Sequence, residues 1–398
     1  MPPTKTTNKK QPLRWRFDSF TPFISKAITS LRKQNHLISD KSYWWYFIYR
    51  WQKDESETIT KFLDGSYQFE PIKTCYSKEE SVVVWTYVDR LFVRALLVLI
   101  KPLFKYIISP RCLHMKGPTG VKDALSLTKK AFDNGSFRYF MRLDIKSYYA
   151  SIDRKILTEQ TKSCFNDPRV LNYLDQIINI PIIEHGAIHI PRLGIHRRSS
   201  MSPFLGALYL SSLDRAFENL QGVWYLRYMD DILILTQTKK QFCKAKRKVQ
   251  NILSRLKLRQ SRRKTKMGLL TEGFHFLGIN FKVNSEFSTK KETPVMDVEA
   301  QTQYPQSQVS ITLHERCCVR AMDKITVMEE DVVHPMKVQR YLSKWATWWH
   351  KTASDISRSE CLKRWALRAQ THRPELTWLA VGLLRPLLFE RARLLIAH

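Results

Sequence analysis

The stretch Leu226-Arg227-Tyr228-Met229-Asp230-Asp231-Ile232-Leu233-Ile234-Leu235 constrains this chain most, because it sets two adjacent carboxylates between two apolar runs. The flanks are branched and aromatic, so residues 223–235 are predicted to be strand, two-residue acidic tip, strand. Neighbouring ionised carboxylates raise each other's pKa, and a tip between strands offers less water than an open loop. The pair is therefore best tolerated beside a cation. Magnesium prefers hard oxygen ligands and commonly takes one or two carboxylates together with the phosphates of its substrate. A third carboxylate, Asp144, ends an expected strand over 138–145, and a neighbouring strand would bring it to the pair. Two ions about 3.5–4 Å apart on such a cluster activate an attacking hydroxyl and steady a leaving pyrophosphate. Asp153 reads instead as a helix or turn residue. An Asp-Asp pair alone is most often a solvated turn, so the rest of the chain has to support the metal reading.

The charge balance does so. Lys and Arg number 66 against 36 Asp and Glu, a net charge of +30 that should draw a polyanion such as nucleic acid to the surface. With 398 residues, 43% of them hydrophobic, the chain can bury a sizeable core in two or three domains. The seven cysteines show no Cys-x-x-Cys and no paired Cys/His spacing, which excludes a zinc module and suits a reduced, cytoplasmic compartment. The most apolar stretch, 91–104, is interrupted by Arg94 and Lys101, and the basic N-terminus has no signal-type apolar core. Neither a membrane span nor secretion is expected.

Along the chain, residues 1–30 are expected to form a flexible basic arm. The aromatic cluster Tyr43, Trp44, Trp45, Tyr46, Phe47, Tyr49 and Trp51 would wrap a helix, with core packing favoured over base stacking. Buried helices are predicted over 86–108 and 124–132, the second ended by Asp133-Asn134-Gly135, and a loop holding Lys116, Gly117 and Gly120 lies between them. Residues 202–217 read as one unbroken helix. After the acidic hairpin, Phe242, Val249, Leu253 and Leu256 share one helical face, and lysines and arginines crowd the rest. Residues 284–310 break in composition and are taken as a linker. From Ile311 onward a helical pattern is expected, with Val338, Tyr341, Leu342, Trp345 and Trp348 as its core face.

Tyr228-Met229-Asp230-Asp231 in its apolar hairpin resembles the signature of reverse transcriptases, and further segments agree in order and spacing. Arg142-Leu143-Asp144-Ile145-Lys146-Ser147-Tyr148-Tyr149-Ala150-Ser151-Ile152-Asp153 resembles the first palm motif, especially that of bacterial group II intron, retron and defence-associated enzymes. Gly194 to Pro203 resembles the motif that opens the template-gripping helix, except that His196-Arg197-Arg198 stands where Pro-Gln-Gly is usual. Lys264-Thr265-Lys266 resembles the lysine motif, and Gly273 to Gly278 the turn that supports the primer end.

The resemblance implies catalysis by Asp144, Asp230, Asp231 and Lys264, with Lys266 as competitor for the last role. It places Mg2+ on Asp144, Ile145, Asp230 and Asp231. It also implies nucleotide contacts from Ile145, from Arg197, from Lys116 as one of several candidate triphosphate contacts, and from Tyr149, whose ring would exclude a 2′ hydroxyl.

The expected architecture is an α+β right-hand polymerase. Fingers and palm, with a small antiparallel sheet, would occupy 31–283, followed by the 284–310 linker and a helical thumb over 311–398. The expected function is RNA-directed DNA synthesis from dNTPs on an RNA template, plausible templates including a dedicated noncoding RNA in antiviral defence. The rivals are an RNA-dependent RNA polymerase and a maturase-like or splicing cofactor that uses the fold as an RNA-binding scaffold. Oligomeric state is not legible in the sequence.

Overall fold

The computed structural model describes residues 22–29, 31, 42–76, 81–197, 199–283, 309–330, 335–353, 356–377, 379–380 and 383–384. Most of the expected arm (1–21), the expected linker from 284 to 308, and Arg198 lie outside the described residues. The chain forms two compact units: Met1–Pro110 with Lys146–Arg215 and Asn251–Arg259, and Arg111–Ile145 with Ala216–Gln250 and Gln260–His398.

The second unit is built on a four-stranded antiparallel sheet of β1 (Tyr139–Leu143), β2 (Val223–Tyr228), β3 (Asp231–Thr236) and β4 (Lys266–Leu269), in the order β2-β3-β1-β4. β1 and β3 are buried along almost their whole length, as expected of central strands covered on both faces. Phe140, Leu226, Leu233 and Leu235 join one core with Ala124, Leu125 and Phe132 of α1 (Gly120–Asp133) and with Phe274 and Phe281. Tyr228 pairs with Asp231, so the two-residue turn of the hairpin is Met229-Asp230 and Asp231 already belongs to the strand. The acidic tip is thus displaced by one residue from the expected one. Met229 takes the positive φ (56°) that such a turn requires at its first central position.

The strand β5 (Phe274–Phe276) turns through Leu277 and Gly278, both at positive φ, into β6 (Ile279–Val283). That is the backbone a tight two-residue hairpin needs. A Cβ at Gly278 would come within 2.6 Å of the Trp349 ring and 2.8 Å of Cys317 Sγ. β7 (Val309–Leu313) then pairs with β6 residue by residue, from Ile279↔Leu313 to Val283↔Val309. This corrects the expectation of a linker to 310 and helix from 311: Val309, Ile311 and Leu313 alternate at a period of two, and the helix begins only at Glu315. Helices over Glu315–Glu330, Pro335–Thr352 and Arg358–His372 follow. In the second of these, Val338, Leu342, Ala346 and Trp349 are buried while Trp348 is exposed. Position 349, three turns from 338, completes the core face expected at 348.

The first unit carries a second four-stranded sheet, Ser81–Val84, Ile72–Tyr76, Ile182–Glu184 and Ala187–His189 in that order. The helix Ser42–Asp64 divides its aromatic cluster: Phe47 and Trp51 are buried, whereas Trp45, Tyr46 and Tyr49 face solvent. Phe62 of the same helix is stacked on Phe92 and on Tyr173, with ring centres 4.3 and 4.4 Å away. The predicted helix over 86–108 is Tyr87–Ile100, capped by the Thr86 hydroxyl, then a 3-10 turn and Phe104–Ile107. Pro102 in that turn lacks the N–H that would continue the helix. The stretch 202–217 is likewise two helices, Ser202–Tyr209 and Ser211–Phe217, parted at Leu210.

Two carboxylates of this unit are structural. Asp153 caps the helix Arg154–Cys164 by accepting from the Ile156 N–H at 3.1 Å, and it pairs with Lys257 at 2.7 Å. Asp89 is fully buried and accepts from the Tyr67 hydroxyl at 2.7 Å and the Glu70 N–H at 3.3 Å. Burial pushes the Asp89 carboxyl up to about 6.

Asp153→Ala is expected to cost about 1–2 kcal/mol in denaturant unfolding, most of it from the lost cap because Lys257 is largely exposed. For Asp89 the folded-state pKa exceeds the unfolded value, so the folded chain takes up the proton first. Its contribution to stability is complete below about pH 4 and is lost as the pH rises through the folded value. Asp89→Asn should therefore remove a falling component from the slope of stability against pH between 5 and 7, while the components from Asp231 and His196 remain; an unchanged slope would exclude Asp89 as a contributor.

Candidate active site

The sheet register assembles the carboxylates. Leu143 on β1 pairs with Ile232 on β3, so one further step along the same antiparallel ladder sets Asp144 across from Asp231. Asp144 is buried, and Asp230 and Asp231 are half-buried at the mouth of the hairpin. Burial pushes the Asp231 carboxyl up to about 6, with Asp230 and Asp144 acting in the same direction and Arg142 and Lys264 opposing them.

The turn that presents the doublet is clamped on both sides of Met229. Its N–H donates to His114 Nδ1 at 3.0 Å, and its carbonyl accepts from Arg227 Nη1, also at 3.0 Å. An Nδ1 that accepts belongs to a neutral imidazole with its proton on Nε2. Arg227 is fully buried, and the His114 ring meets Tyr228 edge-on with centres 6.0 Å apart. Position 120 is glycine because a Cβ there would lie 2.4 Å from the Leu113 carbonyl oxygen. These contacts hold a non-glycine residue at positive φ, a conformation kept only where its surroundings over-determine it.

Lys264 comes from a turn hung on the strand end. The Ser261 N–H donates to the Asp144 carbonyl at 2.8 Å, and the N–H groups of Lys264 and Thr265 donate back to Ser261 O. The Lys264 ammonium lies 3.4 Å from Asp144 Oδ1. Lys266 is exposed on β4, paired in register with Arg142. Ile145 is buried and bridges to Gln260, and Lys116 is exposed on the 3-10 segment Leu113–Thr119.

Asp144, Ile145, Asp230, Asp231, Lys264 and Lys116 thus share one unit, and Tyr149 and Arg197 belong to the other. Tyr149 is half-buried and edge-on to Tyr148. A Cβ at Gly206 would approach the Tyr149 ring and hydroxyl to 3.3 Å. Arg197 is exposed in a turn beside His196, whose carbonyl accepts from the Ser202 hydroxyl. Burial, and the nearby Arg154, push the His196 imidazole down to about 4.

The sequence reading missed Arg142, His114 and Arg227. Arg142 carried a signal, since a residue two before Asp144 on a strand shares its face. His114 carried none, because its partner Met229 is 115 residues away.

Among the described residues no three His, Cys, Asp or Glu side chains are gathered closely enough to hold a metal ion unaided. The donors present are nonetheless hard, mutually repelling oxygens. They suit a divalent ion whose shell is completed by substrate phosphates. No described helix is long and apolar enough to cross a membrane.

Protein YkfC of Escherichia coli (strain K12) is 24% identical over 260 residues, which cover 55% of this chain and 68% of that protein. The group II intron-encoded protein LtrA of Lactococcus lactis subsp. cremoris is 22% identical over 163 residues, 39% of this chain and 27% of LtrA. The chain therefore spans about two thirds of the first relative and about a quarter of the second. The solved structure of apo telomerase from Candida tropicalis, truncated from its C-terminal domain, aligns with a TM-score of 0.40 at 14% identity over 58% of each chain. A family model described as reverse transcriptase (RNA-dependent DNA polymerase) matches residues 81–281, half of the chain, and this span includes all three aspartates and Lys264. This chain belongs to the reverse transcriptase family of RNA-dependent DNA polymerases, and its aspartate-bearing sheet is the palm of a right-hand polymerase fold.

Proposed function

We propose that this chain joins dNTPs on an RNA template by two-metal-ion nucleotidyl transfer at Asp144, Asp230 and Asp231. The observation that carries the reading is the register that sets Asp144 across from Asp231 with the Lys264 ammonium on Asp144. Mg2+ bound by these carboxylates and Ile145 would neutralise them and make a primer 3′ hydroxyl a stronger nucleophile. Lys264, whose ammonium lies 3.4 Å from Asp144 Oδ1, would give a proton to the departing pyrophosphate. Tyr149 acts as the gate that leaves room for hydrogen but not for hydroxyl at C2′. Arg197 offers a guanidinium to nucleotide or template phosphate, and Lys116 an ammonium to the triphosphate.

On this reading residues 31–283 supply fingers and palm, and the helices from Glu315 onward supply the thumb. The excess of 30 positive charges supports retention of RNA and of the DNA product through their phosphates, with affinity that falls steeply with salt. The resemblance of residues 142–153 extends to group II intron, retron and defence-associated enzymes alike, and a dedicated noncoding RNA as template with a part in antiviral defence is the reading proposed. Cys112, Cys164, Cys243, Cys317, Cys318 and Cys361 are free, which supports a reducing, cytoplasmic setting.

Replacing Asp230 and Asp231 together by Asn should abolish dNTP incorporation on primed RNA and leave RNA affinity within about threefold, because the phosphate contacts are elsewhere. Continued synthesis by this variant would refute the assignment. Tyr149→Ala should raise incorporation of ribonucleotides relative to deoxynucleotides by about tenfold or more, the scale on which one steric contact discriminates. An unchanged ratio in a competition assay would remove Tyr149 from the gate.

A further inference from the structure

Arg142 is 8% exposed, two residues before Asp144 on β1. A buried guanidinium is unfavourable unless acceptors surround it. Its acceptors are two main-chain carbonyls distant in the chain: Nη2 donates to Lys264 O at 2.6 Å and Nη1 to His275 O at 3.2 Å. Nε is buried without a hydrogen-bond partner, so the two carbonyls dictate the placement of the group. Lys264 lies in the turn before β4, outside the strand ladders, and that turn has anchors at both ends. The Asp144 carbonyl holds Ser261, and the Arg142 guanidinium holds Lys264. Between these anchors the Lys264 side chain reaches Asp144 Oδ1. The negative charges of Asp231 and Asp144 act on the same guanidinium. One side chain therefore joins the strand of the first aspartate, the lysine turn and the β5–β6 hairpin.

We propose that Arg142 is a positioning residue for nucleotidyl transfer, holding the backbone of Lys264 so that its ammonium stays over Asp144. This rests on the polymerase reading above, with Lys264 as the proton donor. A residue that only stabilised the fold would lower the melting temperature and leave the turnover of the folded enzyme intact. A positioning residue changes kcat and does so only while Lys264 is present.

The test is a double-mutant cycle on the full chain with Mg2+, dNTPs and a primed RNA template, comparing Arg142→Met, Arg142→Lys, Lys264→Ala and the combinations. Arg142→Met should lower kcat by about 100-fold with KM for the primed template within about threefold, as expected when a catalytic group is misplaced by about an ångström. Arg142→Lys keeps the charge but cannot span both carbonyls, and it should fall between Arg142→Met and the parent. Added to Lys264→Ala, either Arg142 change should reduce kcat by no more than about threefold further. If Arg142→Met does not fold, the cycle is completed with Arg142→Lys, which retains the buried charge.

Losses that multiply would overturn the proposal, as would folded Arg142 variants that turn over at the parental rate. If Lys264→Ala alone is fully active, Arg142 has no donor to position and the proposal fails. The polymerase reading is judged separately, by the Asp230/Asp231 double substitution.

Discussion

Like-charge repulsion among three carboxylates on neighbouring strands is the constraint around which the palm is organised. An antiparallel ladder cannot relax that repulsion by sliding, because a shift of one residue would carry every buried side chain of β1 and β3 into the packing built for the opposite face. The sheet stays in register because Phe140, Leu226, Leu233 and Leu235 are locked into the surrounding core. The local answer is charge. Burial raises the Asp231 pKa most, Asp230 and Asp144 add to the rise, and Arg142 and Lys264 oppose it, leaving the group near 6.

How far this was legible in the sequence depended on the range of the interaction. The hairpin and the strand before Asp144 announced themselves through local pattern, apolar runs closed by acidic residues. The spacing of Asp144 and Lys264 to the doublet was readable by resemblance to a known family. The exact turn was not, because the choice of Met229-Asp230 depends on His114, supplied from another segment. Arg142 is marked in the sequence only by its place two residues before Asp144 on the same strand face, since its acceptors, the carbonyls of Lys264 and His275, lie 122 and 133 residues away.

Helical and strand patterns failed where two periods compete over few residues. Val309 to Leu313 follow a polar stretch and precede a long helix, and only pairing with β6 decides their conformation. Trp348 and Trp349 are chemically alike and adjacent, and which of them is buried depends on where the helix face lies three turns earlier. The aromatic cluster at 43–51 likewise satisfied a core reading for Phe47 and Trp51 while leaving Trp45, Tyr46 and Tyr49 in solvent.

A tight fit of another kind is at Gly278, where an added Cβ would lie 2.6 Å from the Trp349 ring. The atoms a side chain would meet there belong to a rigid indole and a half-buried sulfur, neither of which can swing aside as a lysine tip would. The positive φ of 86° forbids the same substitutions on backbone grounds. Positions 278, 317 and 349 are therefore coupled. Enlarging the first demands shrinkage of a partner that the core needs at full size, so homologous chains should hold or change the three together.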